Sequence, residues 1–101
     1  GRVSDDELER ALEISRADFE RDVCRTTLAP LSDRDVDFLS AMARDDGASR
    51  TADVAERMGA TVDYAQKYRR RLIDAGVIES ARRGYVKFAV PFLREHLRER
   101  E

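Results

Sequence analysis

The sequence predicts a mainly α-helical fold in which two short helices, joined by a tight turn, lead into a small β-hairpin. The helix pair is indicated by residues 51–75, where apolar side chains recur every three or four positions and Gly59 interrupts the pattern. The hairpin is indicated by Val77-Ile78 and by Tyr85-Val86-Lys87-Phe88, where the spacing changes to the alternation of strands.

The first helix of the pair is expected to begin at Thr51, a candidate N-cap whose hydroxyl can accept from unpaired backbone amides. Its inward face is expected to consist of Val54, Ala55 and Met58. A small residue such as Ala55 lets two helices cross closely. Gly59, four positions later, can adopt the left-handed conformation that reverses the chain. A small residue, a glycine four positions later and a second amphipathic helix together are typical of a helix-turn-helix.

The second helix is predicted over roughly Val62 to Ala75, with Thr61 as its N-cap and Gly76 just past its end. The side chains expected to face the core are Tyr64, Ala65, Tyr68, Leu72 and Ile73. Those expected on the opposite face are Gln66, Lys67, Arg70 and Asp74. This outer face is therefore polar and mostly cationic.

The hairpin after this helix carries further positive charge. A polar turn is expected from Ser80 to Gly84. A hairpin in this position is typical of a wing, so the predicted fold is a winged helix-turn-helix: a helical core with a two-stranded β-wing, plus N-terminal and C-terminal flanking helices.

The chain is expected to divide at Pro30, because proline disfavours helical geometry in the residue before it. Residues 1–30 are interpreted as an N-terminal amphipathic connecting helix that opens with a Ser4 to Glu7 capping box and runs to about Thr26. Its apolar stripe is expected to consist of Leu8, Leu12, Phe19 and Val23, with Ala11 and Cys24 beside it.

Residues 31–101 are interpreted as the winged helix-turn-helix domain with a C-terminal helix. Its first helix is expected to be capped from Ser32 to Asp35. The inward residues of that helix are predicted to be Val36, Leu39, Met42 and Ala43, with Phe38 partly inward. The last helix is expected to hold Pro91 in its first turn, with Phe92, Leu93, His96 and Leu97 packed on the body.

The length and composition of the chain limit the functions that it can have. The chain has 101 residues, which is the size of one small domain. It has neither an apolar run long enough to span a membrane nor a signal-peptide pattern, so we expect a cytoplasmic protein with no membrane partner. The start at Gly1 rather than Met favours a piece of a longer chain.

Charge is unevenly distributed along the chain. The formal net charge is −2, but residues 61–88 hold seven basic and three acidic side chains, a net of +4. The positive charge is thus concentrated in the second helix and hairpin, where a winged helix would contact DNA. The candidate residues for binding double-stranded DNA are Gln66, Lys67, Arg70, Arg71, Arg82, Arg83 and Lys87. Gln66 suits adenine and Arg70 suits guanine in the major groove, whereas Arg69 is expected to flank a phosphate or cover apolar surface.

No catalytic, metal-binding or cofactor-binding residues are predicted. Cys24 and His96 are the only cysteine and histidine, and neither has the partners that a metal site or a catalytic dyad requires. Both are expected to be packing residues. The chain itself is therefore not expected to be an enzyme.

Four stretches carry a resemblance to a known family: LSDRDVDFLSAMARDDG, TADVAERMG, YRRRLIDAGVI and RGYVKFAVPFLREHL. Over roughly residues 17–97 the chain resembles the C-terminal winged-helix domain of actinobacterial-type AAA-like ATP-binding proteins. This resemblance implies an upstream ATPase module, which would bind ATP and magnesium and would be a partner of this domain in the same chain. No Gly-rich loop ending in Lys-Ser or Lys-Thr occurs here, so no ATP site is carried over to these residues.

Two other functions remain open at this point. The chain could be a protein-interaction module that docks on the ATPase module or on another partner, which would be favoured if Asp63, Asp74 and Glu79 interrupt the basic strip. It could also be a small stand-alone transcription regulator, a homo-oligomer with the first and last helices forming a dimer interface.

Overall fold

A computed structural model describes residues 18–100, and these form five helices and a three-stranded antiparallel sheet. The helices are α1 over residues 18–28, α2 at Asp33–Met42, α3 at Thr51–Met58, α4 at Val62–Asp74 and α5 at Leu93–Arg100. The strands are β1 at Ser49–Arg50, β2 at Ile78–Arg82 and β3 at Tyr85–Phe88, and their order in the sheet is β1-β3-β2. The chain is thus mainly helical, which confirms the coarse prediction and is compatible with a winged-helix-like fold. The predicted capping box at Ser4 to Glu7 and the Leu8, Ala11 and Leu12 part of the first stripe lie outside the described residues.

Four of the predicted helix boundaries are confirmed by local geometry. Ser32 and Asp35 form a complete capping box at the start of α2. The Thr61 hydroxyl accepts a hydrogen bond of 3.2 Å from the Tyr64 amide at the start of α4. At the helix ends, Gly59 and Gly76 have φ values of 69° and 77°, in the left-handed region that favours glycine.

The predicted role of Thr51 is wrong. Arg50 occupies the N-cap position of α3, without a side-chain cap, and Thr51 is the first helical residue. The Thr51 amide and hydroxyl instead donate to the Gly84 carbonyl, at 2.9 and 3.2 Å. The start of α3 is therefore tied to the turn of the hairpin, 33 residues later in the chain.

The core lies between α2, α3, α4 and α5 and the inner face of the sheet. Its largest fully buried members are Phe38, Leu39, Met42, Leu72, Ile78, Leu93 and Leu97. Phe38 is completely buried and Val36 only half-buried, the reverse of the prediction.

Two aromatic residues expected in the core lie at the surface. Tyr64 is 40% exposed and Phe92 is 41% exposed. Pro91 and Phe92 precede α5 rather than forming its first turn. Phe92 has a φ of 71°, and this left-handed conformation directs the chain into the helix while leaving the ring outside. His96 is half-buried, as expected for a packing residue.

The sheet has one strand more than the predicted wing. Ser49 and Arg50 pair with Val86 and Tyr85 of β3, and β3 also pairs with β2. The hairpin turn is shorter than predicted, since β2 continues through Arg82 with a bulge and only Arg83 and Gly84 connect the strands.

Helix α1 contacts the core with only one side. Cys24 and Leu28 are buried in the core cluster, whereas Phe19 is 63% exposed. The helix extends to residue 28 rather than to about Thr26. Among the described residues, no helix combines the length and apolar character that a membrane crossing requires.

Candidate nucleic-acid interface

Helix α4 presents the predicted cationic face to solvent because its other face is fixed in the core. Ala65 and Leu72 are completely buried and Tyr68 is 9% exposed. A surface groove runs along the opposite face. It is lined by Asp63, Gln66, Lys67, Arg69, Arg70 and Arg71. Every predicted DNA-binding residue is exposed, including those of the hairpin: Gln66, Lys67, Arg70, Arg71, Arg82, Arg83 and Lys87.

The cationic residues differ in whether they already have an acidic partner. Lys67, Arg70 and Arg83 make no ion pair within 4 Å among residues 18–100. Lys87 pairs with Glu79 across the hairpin at 3.2 Å, with both side chains about half exposed. An exposed pair of this kind contributes little to stability, so the Lys87 ammonium remains available to a ligand.

Arg71 is held by the body of the domain. One of its terminal nitrogens lies 3.2 Å from Oδ2 of Asp35, whose side chain is fully buried. Its guanidinium also lies 6.0 Å from the Tyr68 ring centroid. Arg71 therefore links α4 to α2, a role that the sequence did not indicate.

The Asp35 carboxylate is a buried polar centre beneath this face. Its Oδ2 accepts from the Ser32 amide at 3.0 Å, from the Ser32 hydroxyl at 2.8 Å and from Arg71. Its Oδ1 has no hydrogen-bond partner within the described part of the chain. The capping carboxylate of α2 thus depends on Arg71 for its only cationic contact in that part of the chain.

A second polar cluster extends the cationic surface toward α2. The Arg34 guanidinium lies 5.5 Å from the Tyr64 ring centroid, and the Tyr64 and Tyr68 hydroxyls are 3.1 Å apart. The hydrogen bond with Tyr68, followed by the contact with Arg34, lowers the pKa of the Tyr64 phenol. The sequence alone does not indicate Arg34, because only the packing of α2 on α4 brings this residue to the surface.

In the hairpin, Arg82 lies against an aromatic ring. Its guanidinium is 4.0 Å from the ring centroid of Tyr85, the residue it faces in the antiparallel register. This contact holds the guanidinium close to the sheet while its donors remain accessible. Arg83 is at the exposed turn beside Gly84.

Arg69 lies at the edge of the groove and is half-buried. Its Nε is buried without a hydrogen-bond partner in residues 18–100. Arg69 is therefore less exposed than Lys67, Arg70 and Arg71 on the same helix.

The cationic surface is interrupted by acidic residues. Asp63 and Asp74 are both exposed on α4, and Asp63 lines the groove itself. Glu79 interrupts the surface less, because it is paired with Lys87. The surface is therefore a basic helix face with one carboxylate near each end.

Comparison with known proteins places the chain in a family. No match was found among curated proteins. A family model described as "Domain of unknown function (DUF8462)" matches residues 21–97, which is well over half of the chain and includes the whole of α2 to β3. The chain therefore belongs to the DUF8462 family.

Proposed function

We propose that this chain is a DNA-binding winged helix-turn-helix module, in which α3 and α4 form the helix-turn-helix and β2 and β3 form the wing. The observation that carries the proposal is the outer face of α4, where Gln66, Lys67 and Arg70 are exposed and the two cations make no ion pair within the described residues. A rigid helix with a cationic, hydrogen-bonding face fits the major groove of B-DNA.

Gln66 and Arg70 are the proposed base-reading pair. They are four residues apart on one helix, so their Cα atoms are separated by about 6 Å along the helix axis. This distance is close to two base steps of about 3.4 Å each. Gln66 would pair with the edge of adenine and Arg70 with O6 and N7 of guanine.

The remaining cations are proposed to contact phosphates. Lys67 flanks the base-reading pair on α4, and Arg82, Arg83 and Lys87 belong to the hairpin. Arg71 is proposed to contribute less than these, because its terminal nitrogen is already bonded to Asp35. Phosphate contacts position the protein on the duplex without selecting a sequence.

We further propose that the domain is the C-terminal, non-catalytic part of an AAA-like ATP-binding protein. This proposal rests on the resemblance of residues 17–97 to such domains. ATP and magnesium would bind to the upstream module, whose conformational changes would reposition this domain on DNA.

The test is binding of the 101-residue chain to a mixed-sequence duplex, measured by fluorescence anisotropy across a salt series. The four proposed phosphate contacts, Lys67, Arg82, Arg83 and Lys87, imply a log–log slope of about −3.6, since each phosphate contact contributes about −0.9. The double variant Lys67→Ala/Arg70→Ala should lose about one unit of that slope through Lys67 and further affinity through Arg70. Arg25→Ala is the matched control, because Arg25 is an exposed arginine on α1.

Two outcomes would reject the DNA proposal. One is the absence of binding even at low salt, and the other is a double variant that is folded and binds as tightly as the wild type. Circular dichroism of each variant separates a lost contact from a lost fold.

A protein-docking function is the second candidate, favoured by the 63% exposure of Phe19 and by the two carboxylates on α4. In that case the domain would bind the upstream ATPase module or another partner through α1. Two results together would favour this function. The wild type would bind the isolated ATPase module but no DNA, and Phe19→Ser would abolish binding to that module.

A further inference from the structure

Asp63 is an exposed carboxylate inside the cationic groove. It lies in the first turn of α4 and lines the groove together with Gln66, Lys67 and Arg70. It forms no ion pair within 4 Å among residues 18–100, even though Lys67 lies one helical turn away. A negative charge at this place is costly for a surface that approaches phosphates, unless it has a partner on the ligand.

We propose that Asp63 is a specificity-determining residue that accepts a hydrogen bond from the exocyclic amino group of cytosine in the major groove. This inference rests on the DNA-binding function proposed above. It assigns the residue to base recognition, whereas the sequence alone indicated only an interruption of the basic strip.

The position of Asp63 on α4 supports base contact. In helix-turn-helix proteins the N-terminal residues of the recognition helix are the ones that reach base edges. Asp63 follows Val62 at the start of α4 and precedes Gln66 by three residues, so both project from the same side of the helix. A base recognised by Asp63 would therefore be adjacent to the one recognised by Gln66.

The chemistry of the carboxylate selects cytosine among the four bases. An ionised carboxylate only accepts hydrogen bonds. In the major groove guanine presents two acceptors and thymine an acceptor and a methyl group, and both oppose a carboxylate. Adenine has an amino group next to the acceptor N7, whereas cytosine presents only its amino group, so cytosine is the most favourable partner.

A purely structural role is also available to Asp63, because an acidic residue in the first turn of a helix interacts favourably with the helix dipole. The two roles predict different results for Asp63→Asn. Loss of the dipole interaction lowers stability slightly and leaves sequence preference unchanged. Loss of base recognition instead relaxes the preference at one base position, because an amide can both donate and accept.

Asp74 provides a matched control. It is the last residue of α4 and is also exposed, but it lies about 16 Å from Asp63 along the helix axis. Asp74→Asn removes the same charge at the end of the helix that is farther from the proposed base contacts. General electrostatic effects on DNA binding should therefore appear in both variants, and relaxed specificity only in Asp63→Asn.

The experiment is enrichment of a randomised duplex library by the wild-type chain, followed by affinity measurements on the enriched site and its single-base variants. The wild type should prefer cytosine at one position by about fivefold or more over the other bases. Asp63→Asn should reduce that preference to less than about twofold, bind the non-cytosine sites more tightly than the wild type does, and keep the preferences at the other positions. Asp74→Asn should retain the cytosine preference.

Four results would overturn the proposal. The cytosine preference could persist in Asp63→Asn, or be lost equally in Asp74→Asn. The wild type could also bind duplexes in a salt-dependent way without enriching any site, which would retain the DNA-binding function and reject the role of Asp63. A wild-type chain that binds no duplex at all would reject both.

Discussion

Arg71 and Arg70 are neighbours in the sequence, but we predict that their replacement by alanine has opposite consequences. Arg70 is exposed without an ion pair in the described residues, whereas Arg71 bonds to the buried Asp35. Arg71→Ala should therefore destabilise the fold and change the proposed DNA binding little. Arg70→Ala should leave stability unchanged and weaken the proposed DNA binding.

The size of the stability loss follows from the contacts of Asp35. The variant removes the 3.2 Å hydrogen bond from Arg71, while the two bonds from Ser32 remain. A hydrogen bond to a charged group contributes about 1.5–3 kcal/mol. Arg71 is 56% exposed, so water would replace part of the lost contact, and we expect the free energy of unfolding to fall by about 1–2 kcal/mol. In a domain of this size each 1 kcal/mol corresponds to about 4–8 °C in Tm.

Urea denaturation followed by circular dichroism measures this difference. Arg70→Ala is the internal control and should remain within about 0.5 kcal/mol of the wild type. Equal stability of Arg71→Ala and the wild type would show that Asp35 does not depend on Arg71. An equally large loss in Arg70→Ala would refute the distinction between the two arginines.

Three further predictions concern the framework that holds α4 in place. The Arg57 guanidinium lowers the pKa of Asp45 below its ordinary value of 3.8, mainly through its hydrogen bond to the carboxylate. The stability that Asp45 adds should therefore be present above pH 3.8 and be lost as the pH falls below that value. Urea titrations of Asp45→Asn and the wild type should therefore differ at pH 7, and this difference should shrink as the pH is lowered below 3.8. Gly59→Ala should cost about 1 kcal/mol in the same assay because φ is 69°, whereas Gly47→Ala, which has no positive φ and no neighbour within 4 Å, should be neutral. Leu72→Ala should lower the free energy of unfolding by about 2–5 kcal/mol because this side chain is completely buried, and a smaller loss would mean that the core closes around the cavity.

Features governed by neighbouring residues were predictable from the sequence. The caps at Ser32 and Thr61 depend on a side chain and a backbone amide three positions away. The left-handed ends at Gly59 and Gly76 depend on the absence of a side chain at one position. The exposed face of α4 follows from the same logic, because the helical period alone determines which residues oppose the buried ones.

Features that depend on distant residues were missed or wrong. Strand β1 consists of only two residues and exists because β3 pairs with it, so no local pattern indicates it. Thr51 resembles an N-cap in sequence, but its hydroxyl is bonded to the Gly84 carbonyl of the hairpin. In the candidate interface, Arg71 could not be separated from Arg70 by spacing or residue type, since its difference comes from a carboxylate 36 positions earlier.

The contacts of the acidic residues explain how a chain with a net charge of −2 presents unpaired cations on α4. Asp35, Asp45 and Asp46 each bond to an arginine that joins two elements of the fold. The Asp45 pair is the best protected of these, with two bonds of 2.7 and 3.1 Å to Arg57 and side chains that are at most 30% exposed. Salt screens exposed charges much more strongly than half-buried pairs. Under the proposed function, added salt should therefore remove DNA from the α4 face well before it weakens the Asp45–Arg57 pair, so that a loss of binding in a salt series reports the interface and not unfolding.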